Sequence, residues 1–142
     1  YLPQSKLPVD YIHKFRDFIN EEKNVDSRFS AKAVIHKNGH ILLLLNDMGW
    51  DLPGGHIHEG ESTKAGLIRE VREETGLTIE DPKQLQFKHG NKTFFSAALP
   101  PGEVTLSDEH SKHSLYKFDE LSDIKISDFF VSAIKEALGE QK

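Results

Sequence analysis

Cysteine is absent from the 142 residues, and other scarcities in the chain each remove a class of function. Without a thiol there is no disulfide, no cysteine-ligated metal site and no thiol nucleophile. The longest aliphatic run, 41–45, is far shorter than the roughly 20 apolar residues that span a bilayer. Lys and Arg number 18 against 23 Asp and Glu, so the net charge is −5. That balance argues against general nucleic-acid binding, but a bound divalent cation could still admit a small phosphorylated ligand.

The remaining composition is that of one ordinary folded domain. Hydrophobic residues make up 37% of the chain and charged residues 29%, which is enough apolar material for one core. Because no repeat, low-complexity tract or linker is visible, we expect a single α/β domain across residues 1–142. The first residues lack the pattern of a secretory signal, so the simplest expected location is the cytoplasm. We expect no membrane association, and the oligomeric state stays open.

Apolar periodicity predicts the order of the secondary-structure elements. An amphipathic helix is expected over about 8–22, followed by strands at 29–36 and 41–45. The turn between these strands contains Asn38-Gly39, the dipeptide most typical of tight hairpins. The Gly-, Asp- and His-rich segment 46–60 is predicted to be a loop. The later segments are predicted as strands at 85–88, 93–98 and 114–118 and a helix at 128–138.

A helix of about 13 residues is predicted between Ser62, a good N-cap, and Gly76, a good C-terminal stop. On this helix Glu70, Glu73 and Glu74 fall within an arc of roughly 100°, opposite an apolar face. Three neighbouring carboxylates repel one another, and a hard divalent cation reverses that repulsion. The arc therefore suggests a Mg²⁺ or Mn²⁺ site, although the same pattern alone is more typical of a solvated charged face.

Two other helix residues are interpreted from their positions. Arg69 precedes Glu73 by four residues and could hold that carboxylate in one rotamer. Gly66 lies within the acidic arc, where glycine costs about 0.8–1 kcal/mol relative to alanine. We expect that a metal ion and a phosphate need the space a side chain would occupy.

The segment 55–77 resembles the Nudix box at every position. It reads Gly55, five residues, Glu61, seven residues, Arg69-Glu70-Val71, one residue, Glu73-Glu74, one residue, and Gly76-Leu77. The approach segment 50–55, Trp-Asp-Leu-Pro-Gly-Gly, is also similar to that family, and the likeness touches most of 29–121. The chain is accordingly identified as a member of the Nudix (MutT-like) hydrolases, with the helix at 8–22 outside the likeness.

This resemblance implies a fold and a reaction. The fold is an α/β/α sandwich with a mixed sheet, in which the box forms a loop–helix–loop. The reaction is hydrolysis of a pyrophosphate bond in a nucleoside diphosphate linked to another group, with Mg²⁺ or Mn²⁺ as cofactor. The resemblance implies that Arg69 braces the helix and contributes to catalysis. The implied metal ligands are Glu70, Glu73, Glu74 and the main-chain carbonyl of Gly54, with Glu61 bracing the helix and sometimes joining the metal.

The general base is left open by the resemblance. Relatives often use a Glu in a loop beyond the box, and Glu109 is the candidate here. Asp108 and Glu103 are alternatives, and Glu70 could itself be the base. Adjacent His110 is interpreted as a loop residue and His113 as a residue on the surface of a strand, rather than as catalysts.

Trp50, His56 and Phe94 are the candidate substrate contacts, because aromatic rings can stack on a nucleobase. At least one of Phe94 and Phe95 is expected in the core. His56 and His58 point to the same side of an extended segment, which raises a zinc site. We favour the interpretation that they line the mouth of the cleft, because no third ligand is evident.

The expected partner is a small nucleotide, most simply a (d)NTP. Lys92 stands where ADP-ribose pyrophosphatases often have proline, and Thr93 and Phe94 stand where dinucleoside polyphosphate hydrolases often have tyrosine. Both functions are therefore less favoured but stay open, as does a non-catalytic nucleotide sensor.

Overall fold

The computed structural model describes residues 29–139, and the helix predicted over about 8–22 lies outside this range. Predicted strands and helices within the range are present, with ends shifted by at most two residues. In chain order the elements are β1 (Ser30–Lys37), β2 (His40–Asn46), β3 (Gly49–Asp51), β4 (Gly54–His56), α1 (Thr63–Thr75), β5 (Lys83–His89), β6 (Lys92–Ala98), β7 (Lys112–Lys117), the 3₁₀ helix η1 (Phe118–Asp123) and α2 (Asp128–Gly139).

The segment 46–60 differs from its prediction as a loop. Its residues include β3 and β4, which pair with β2 and β1 respectively, so part of its backbone is held in the sheet. These strands have three residues each, too short for a period-two pattern to reveal them.

The seven strands form one mixed sheet in which β1 is central. It runs parallel to β6 on one side and antiparallel to β2 and β4 on the other. The β1–β2 turn has positive φ at both Asn38 (53°) and Gly39 (80°), as the tightest hairpin turns require. The remaining pairs, β2–β3, β2–β7 and β5–β6, are antiparallel.

Each face of the sheet is covered by one helix, which confirms the predicted α/β/α sandwich. Successive residues of a strand face opposite sides, so Leu42 packs with the α1 layer and Leu43 with the α2 layer. The α1 layer includes Leu67 and Val71, and the α2 layer includes Ile134. Within residues 29–139, neither helix is long and apolar enough to cross a membrane.

Candidate active site

Helix α1 begins and ends at the residues that the sequence predicts. The Ala65 N–H donates to Ser62 Oγ at 3.1 Å, which caps the N-terminus. Gly76 takes a left-handed conformation with φ of 75°, and its N–H donates to the Arg72 carbonyl. Because Leu67 and Val71 are fully buried against the sheet, the rotation of α1 about its axis is set by its core face.

Glu74 lies in the interior although it belongs to the acidic arc. It is 5% exposed, and its Oε1 accepts a hydrogen bond from the Gly54 N–H at 2.8 Å. Burial raises the pKa of the Glu74 carboxyl to about 8, against the opposing effects of Lys32 and of the Gly54 N–H. A cation beside Glu74 would favour the charged carboxylate and offset this cost of burial.

Glu70 lies against the backbone of β4. A Cβ placed on Gly55 would come within 2.6 Å of the Glu70 carboxyl carbon, so this close approach requires glycine. The Glu70 side chain is only 12% exposed and accepts from Arg69 Nη1 at 3.2 Å. Gly55 therefore determines how deeply the Glu70 carboxylate sits in the site.

Arg69 is the centre of an ion-pair network on α1. Its guanidinium donates to Glu61 through Nε at 3.2 Å and Nη2 at 2.8 Å, and to Glu70 and Glu73 through Nη1 at 3.2 Å each. Nη2 also donates to the His56 carbonyl at 3.0 Å. The contact from Arg69 to Glu73 expected from the sequence is thus present. Burial alone would lower the pKa of Arg69, but the neighbouring carboxylates have the larger effect and raise this pKa above its ordinary value.

Five of the predicted site residues meet at a cavity of about 400 Å³ between α1, β1 and the loop before β7. The predicted residues that line it are Glu70, Glu74, Gly54, His56 and Glu109, with the alternative base Asp108 beside them.

Other predicted residues lie outside this cavity. Glu61 is occupied by Arg69 and by the His58 N–H, which donates to Oε1 at 2.7 Å, so its placement supports the bracing role. Glu73 is on the exposed side of α1, with 35% of its side chain accessible. Metal binding by Glu61 and by Glu73 stays a prediction. The alternative base Glu103 lines a different cavity, beside Gly76, and cannot act in this one.

Phe94 is a correction to the predicted substrate contacts. It is fully buried and packs against Phe87 and Phe130 at ring-centroid distances of 5.5 and 6.2 Å, so it belongs to the core. Phe95 is also buried, at 3% exposure. Neither ring can reach a nucleobase, because each is enclosed between the sheet and a helix layer.

Trp50 lines a second cavity of about 360 Å³ that shares Lys32, Asn46 and Asp51 with the first. Its ring is held by Tyr116 in an edge-on contact with centroids 5.0 Å apart. Trp50 is therefore placed to contact a substrate in this second cavity. It lies next to the first cavity, which is called the acidic cavity below because Glu70, Glu74 and Glu109 line it.

Contrary to the expectation from the sequence, Gly66 does not leave space for a metal ion and a phosphate. A Cβ on Gly66 would meet Glu61 Oε1 and Ile57 Cδ1, each at 2.7 Å, and not the space in front of Glu70 and Glu74. Glycine is needed there because the 57–61 segment packs closely on α1.

Lys32 and Asp51 are site residues that the sequence reasoning missed. Lys32 Nζ lies 3.2 Å from Asp51 Oδ1 and donates to the Gly54 carbonyl at 3.3 Å. Burial alone would lower the pKa of Lys32, but Asp51, Glu74 and Glu70 together raise it. Burial alone would raise the pKa of Asp51, but Lys32 and His110 lower it. The available signal was a lysine within the otherwise apolar strand 31–35.

His110 lies in the loop before β7, as the sequence predicts, but it is buried there at 7% exposure. Its Nε2 lies 3.3 Å from Asp51 Oδ2. Among residues 29–139, the group of side chains arranged to hold a metal is Glu74, Glu109 and His110, whose ligand atoms all lie within 4.8 Å of one another. This group includes neither His56 nor His58, so the paired-histidine zinc site gains no support.

The donor set fits a divalent cation. It offers two carboxylates and one imidazole, and the buried His110 Nδ1 has no hydrogen-bond partner within the part of the chain that the structure describes. A cation would satisfy that atom and also favour ionisation of buried Glu74.

Comparison with known proteins gives a consistent family. A model of the NUDIX domain matches residues 26–133. Nudix hydrolase 7 of Arabidopsis thaliana is 30% identical over 127 residues, which cover 78% of this chain and 44% of that protein. Nudix hydrolase 5 of the same plant is 38% identical over 77 residues, which cover 49% of this chain and 26% of that protein. The chain thus spans less than half the length of these curated relatives. The crystal structure of a MutT protein from Methanosarcina mazei Go1 aligns with a TM-score of 0.62 at 29% identity, covering 80% of this chain and 94% of that one.

Proposed function

Because this chain belongs to the Nudix family, we propose that it is a metal-dependent pyrophosphohydrolase acting on a small nucleotide-linked substrate. The observation that carries the proposal is the convergence of Glu70, Glu74 and Glu109 on one cavity beside a buried histidine. Carboxylates grouped in this way are typical of sites that bind a divalent cation together with substrate phosphates. The sequence prediction of Mg²⁺ or Mn²⁺ as the cofactor belongs to this proposal.

The cation supplies charge neutralisation on the pyrophosphate and lowers the pKa of water. Glu70 and Glu74 would hold it, with the Gly54 carbonyl as a further oxygen donor, and Glu109 would either complete this ligand set or act as the base. As the base, Glu109 would take the proton of the attacking water, whose oxygen forms a bond to phosphorus. The bridging P–O bond breaks, and the leaving phosphate keeps its electron pair. Arg69 touches no reacting atom in this scheme and acts by positioning Glu70, which it contacts at 3.2 Å.

The second cavity supports a nucleotide as the substrate. Three lysines, Lys32, Lys92 and Lys125, line it with Trp50 and Phe129. Ammonium groups suit phosphate oxygens, and an indole ring suits a nucleobase. The cavity shares Lys32 and Asp51 with the acidic one, so one extended molecule could occupy both. Among small nucleotides we propose a nucleoside triphosphate, and the cytoplasmic location predicted from the sequence remains part of the same proposal.

The test is a nucleotide panel assayed with Mg²⁺ and with Mn²⁺, using ¹⁸O-labelled water to find the phosphorus that is attacked. We expect turnover of at least one nucleoside triphosphate, with one ¹⁸O in one product. Glu74→Gln should lower kcat by at least about 10²-fold, because it removes a charged group from the metal site while keeping its shape. Glu80→Gln, an exposed acid just beyond α1, is the matched control and should keep full activity.

Two results would count against the proposal. If only dinucleoside polyphosphates or ADP-ribose are hydrolysed, the nucleoside triphosphate is the wrong substrate class, although pyrophosphate hydrolysis is retained. Nucleotide binding without any turnover would identify a sensor and overturn the enzymatic function.

A further inference from the structure

His110 is unusual among the residues around the acidic cavity because its buried nitrogen has no partner. The side chain is 3% exposed, and Nδ1 makes no hydrogen bond to any of residues 29–139. A buried polar atom without a partner lowers the stability of the fold, so a site that keeps one generally has a use for it.

Asp51 determines which ring nitrogen carries the proton. Its carboxylate receives Lys32 Nζ and Asn46 Nδ2 as well as His110 Nε2, and an ionised carboxylate only accepts. Nε2 must therefore donate, and the neutral ring then presents the lone pair of Nδ1. Histidines that bind metals almost always donate the N–H of the second ring nitrogen to a carboxylate, a backbone carbonyl or a water molecule, and Asp51 is such an acceptor.

Two further carboxylates, besides Asp51, form a three-ligand set with this ring. Glu74 and Glu109 each place an oxygen within 4.8 Å of a His110 ring nitrogen and of each other. Glu74 is fixed by the Gly54 N–H, and His110 is fixed by Asp51, so these two ligands are held in place before any cation arrives.

We propose that His110 Nδ1 is a direct ligand of a divalent cation shared with Glu74 and Glu109, and that this nitrogen makes the site prefer Mn²⁺ to Mg²⁺. The inference rests on the proposed metal-dependent function. Mg²⁺ strongly prefers oxygen ligands. Mn²⁺ also favours oxygen and is the weakest binder of the transition series in which imidazole is a common ligand, but as a transition metal it accepts a nitrogen ligand more readily than Mg²⁺ does. One nitrogen in an otherwise oxygen site therefore shifts selectivity without excluding Mg²⁺.

The direct test is pulsed electron paramagnetic resonance of the full chain with Mn²⁺ as the only added ligand. A coordinated imidazole gives nitrogen modulation, which changes when histidine alone is labelled with ¹⁵N. We expect this modulation in the unaltered protein, and we expect His110→Gln to abolish it. His56→Gln is the matched control, since His56 lines the same cavity outside the ligand set, and it should keep the modulation.

Calorimetry with each metal alone provides a second readout. His110→Gln should raise the Kd for Mn²⁺ by at least about 10-fold and the Kd for Mg²⁺ by less than about threefold. Exposed His113→Gln should change neither. Thermal unfolding without metal checks that each variant is folded.

The outcomes separate this inference from the proposed function. Mn²⁺ binding and turnover without nitrogen modulation would overturn the His110 ligand alone. Loss of modulation in His56→Gln instead of His110→Gln would also overturn it. A chain that binds neither metal and turns over no nucleotide would overturn both. Nitrogen modulation lost in His110→Gln, with an altered preference between the metals, would support the inference.

Discussion

The Gly54 N–H donates to Glu74 Oε1 at 2.8 Å, which ties strand β4 to a helix residue twenty positions later in the chain. This one contact places a carboxylate of α1 beside the backbone that is proposed to offer a carbonyl to the metal. Because the acceptor is buried, the bond is shielded from water and is harder to break than an exposed one. The loop before α1 and the helix therefore hold the site as one unit.

Glu109→Gln tests the identity of the base. If Glu109 takes the proton or binds the metal, kcat should fall by roughly 10²–10⁴ while nucleotide affinity changes little. Asp108→Asn, one residue earlier in the same cavity wall, is the control and should lose less than about threefold. Steady-state kinetics on both variants decides the matter, and the reverse order of effects would transfer the role to Asp108.

Arg69→Lys should be damaging although it keeps the charge. Lysine cannot reproduce the fork that engages Glu61, Glu70 and the His56 carbonyl together. We expect a loss of about 1–2 kcal/mol in unfolding free energy and at least a 10-fold loss in kcat. Urea unfolding and kinetics measure the two effects. Arg72→Lys, at an exposed position on the same helix, is the control, and equal effects in the two variants would refute the bracing role.

Gly66→Ala should destabilise the protein. Helix propensity favours alanine by about 1 kcal/mol, but a Cβ within 2.7 Å of Glu61 and Ile57 forces both to move. Because Ile57 is buried and Glu61 is bound to Arg69, we expect a net loss of about 1 kcal/mol. Gly139→Ala, where a Cβ meets nothing within 4 Å, is the matched control for thermal melting. A Gly66 variant that melts above the unaltered protein would contradict the packing explanation.

His36, which lies away from the candidate active site, should make the stability of the fold depend on pH. Burial lowers the pKa of His36, whose Nε2 lies 2.9 Å from Ser96 Oγ. Its ordinary value is about 6.5, so below that pH the unfolded chain binds a proton more readily than the native chain. Stability should therefore fall as the pH is lowered through about 6.5. Urea unfolding between pH 7.5 and 5.5 should show a smaller decrease for His36→Gln, and identical decreases would disprove the effect.

The sequence was sufficient where local chemistry decides the structure. Ser62 and Gly76 mark the ends of α1 because capping depends only on the residues at the helix ends. The Asn38-Gly39 turn was likewise predictable, since few residues tolerate positive φ at both positions.

Tertiary packing decided the features that were missed. Lys32 and Asp51 are nineteen positions apart, and only the sheet brings their charges together. Phe94 has the composition of a substrate contact, but its position on β6 directs it into the core. His110 is a loop residue, as predicted, but nothing in the local sequence indicates that its ring is buried beside the Asp51 carboxylate.

The carboxylate of Glu136 on α2 also has a consequence for how the chain matures. It accepts from the main-chain N–H groups of Gln86 and Phe87, at the irregular stretch of β5. Of the described elements, α2 is the last to leave the ribosome, so these donors have no Glu136 while the sheet is being made. During that interval none of the earlier described elements besides β6 pairs with β5, and this edge strand can pair with a neighbouring nascent chain. Synthesis on crowded polysomes should therefore be the stage at which this protein is most prone to aggregate.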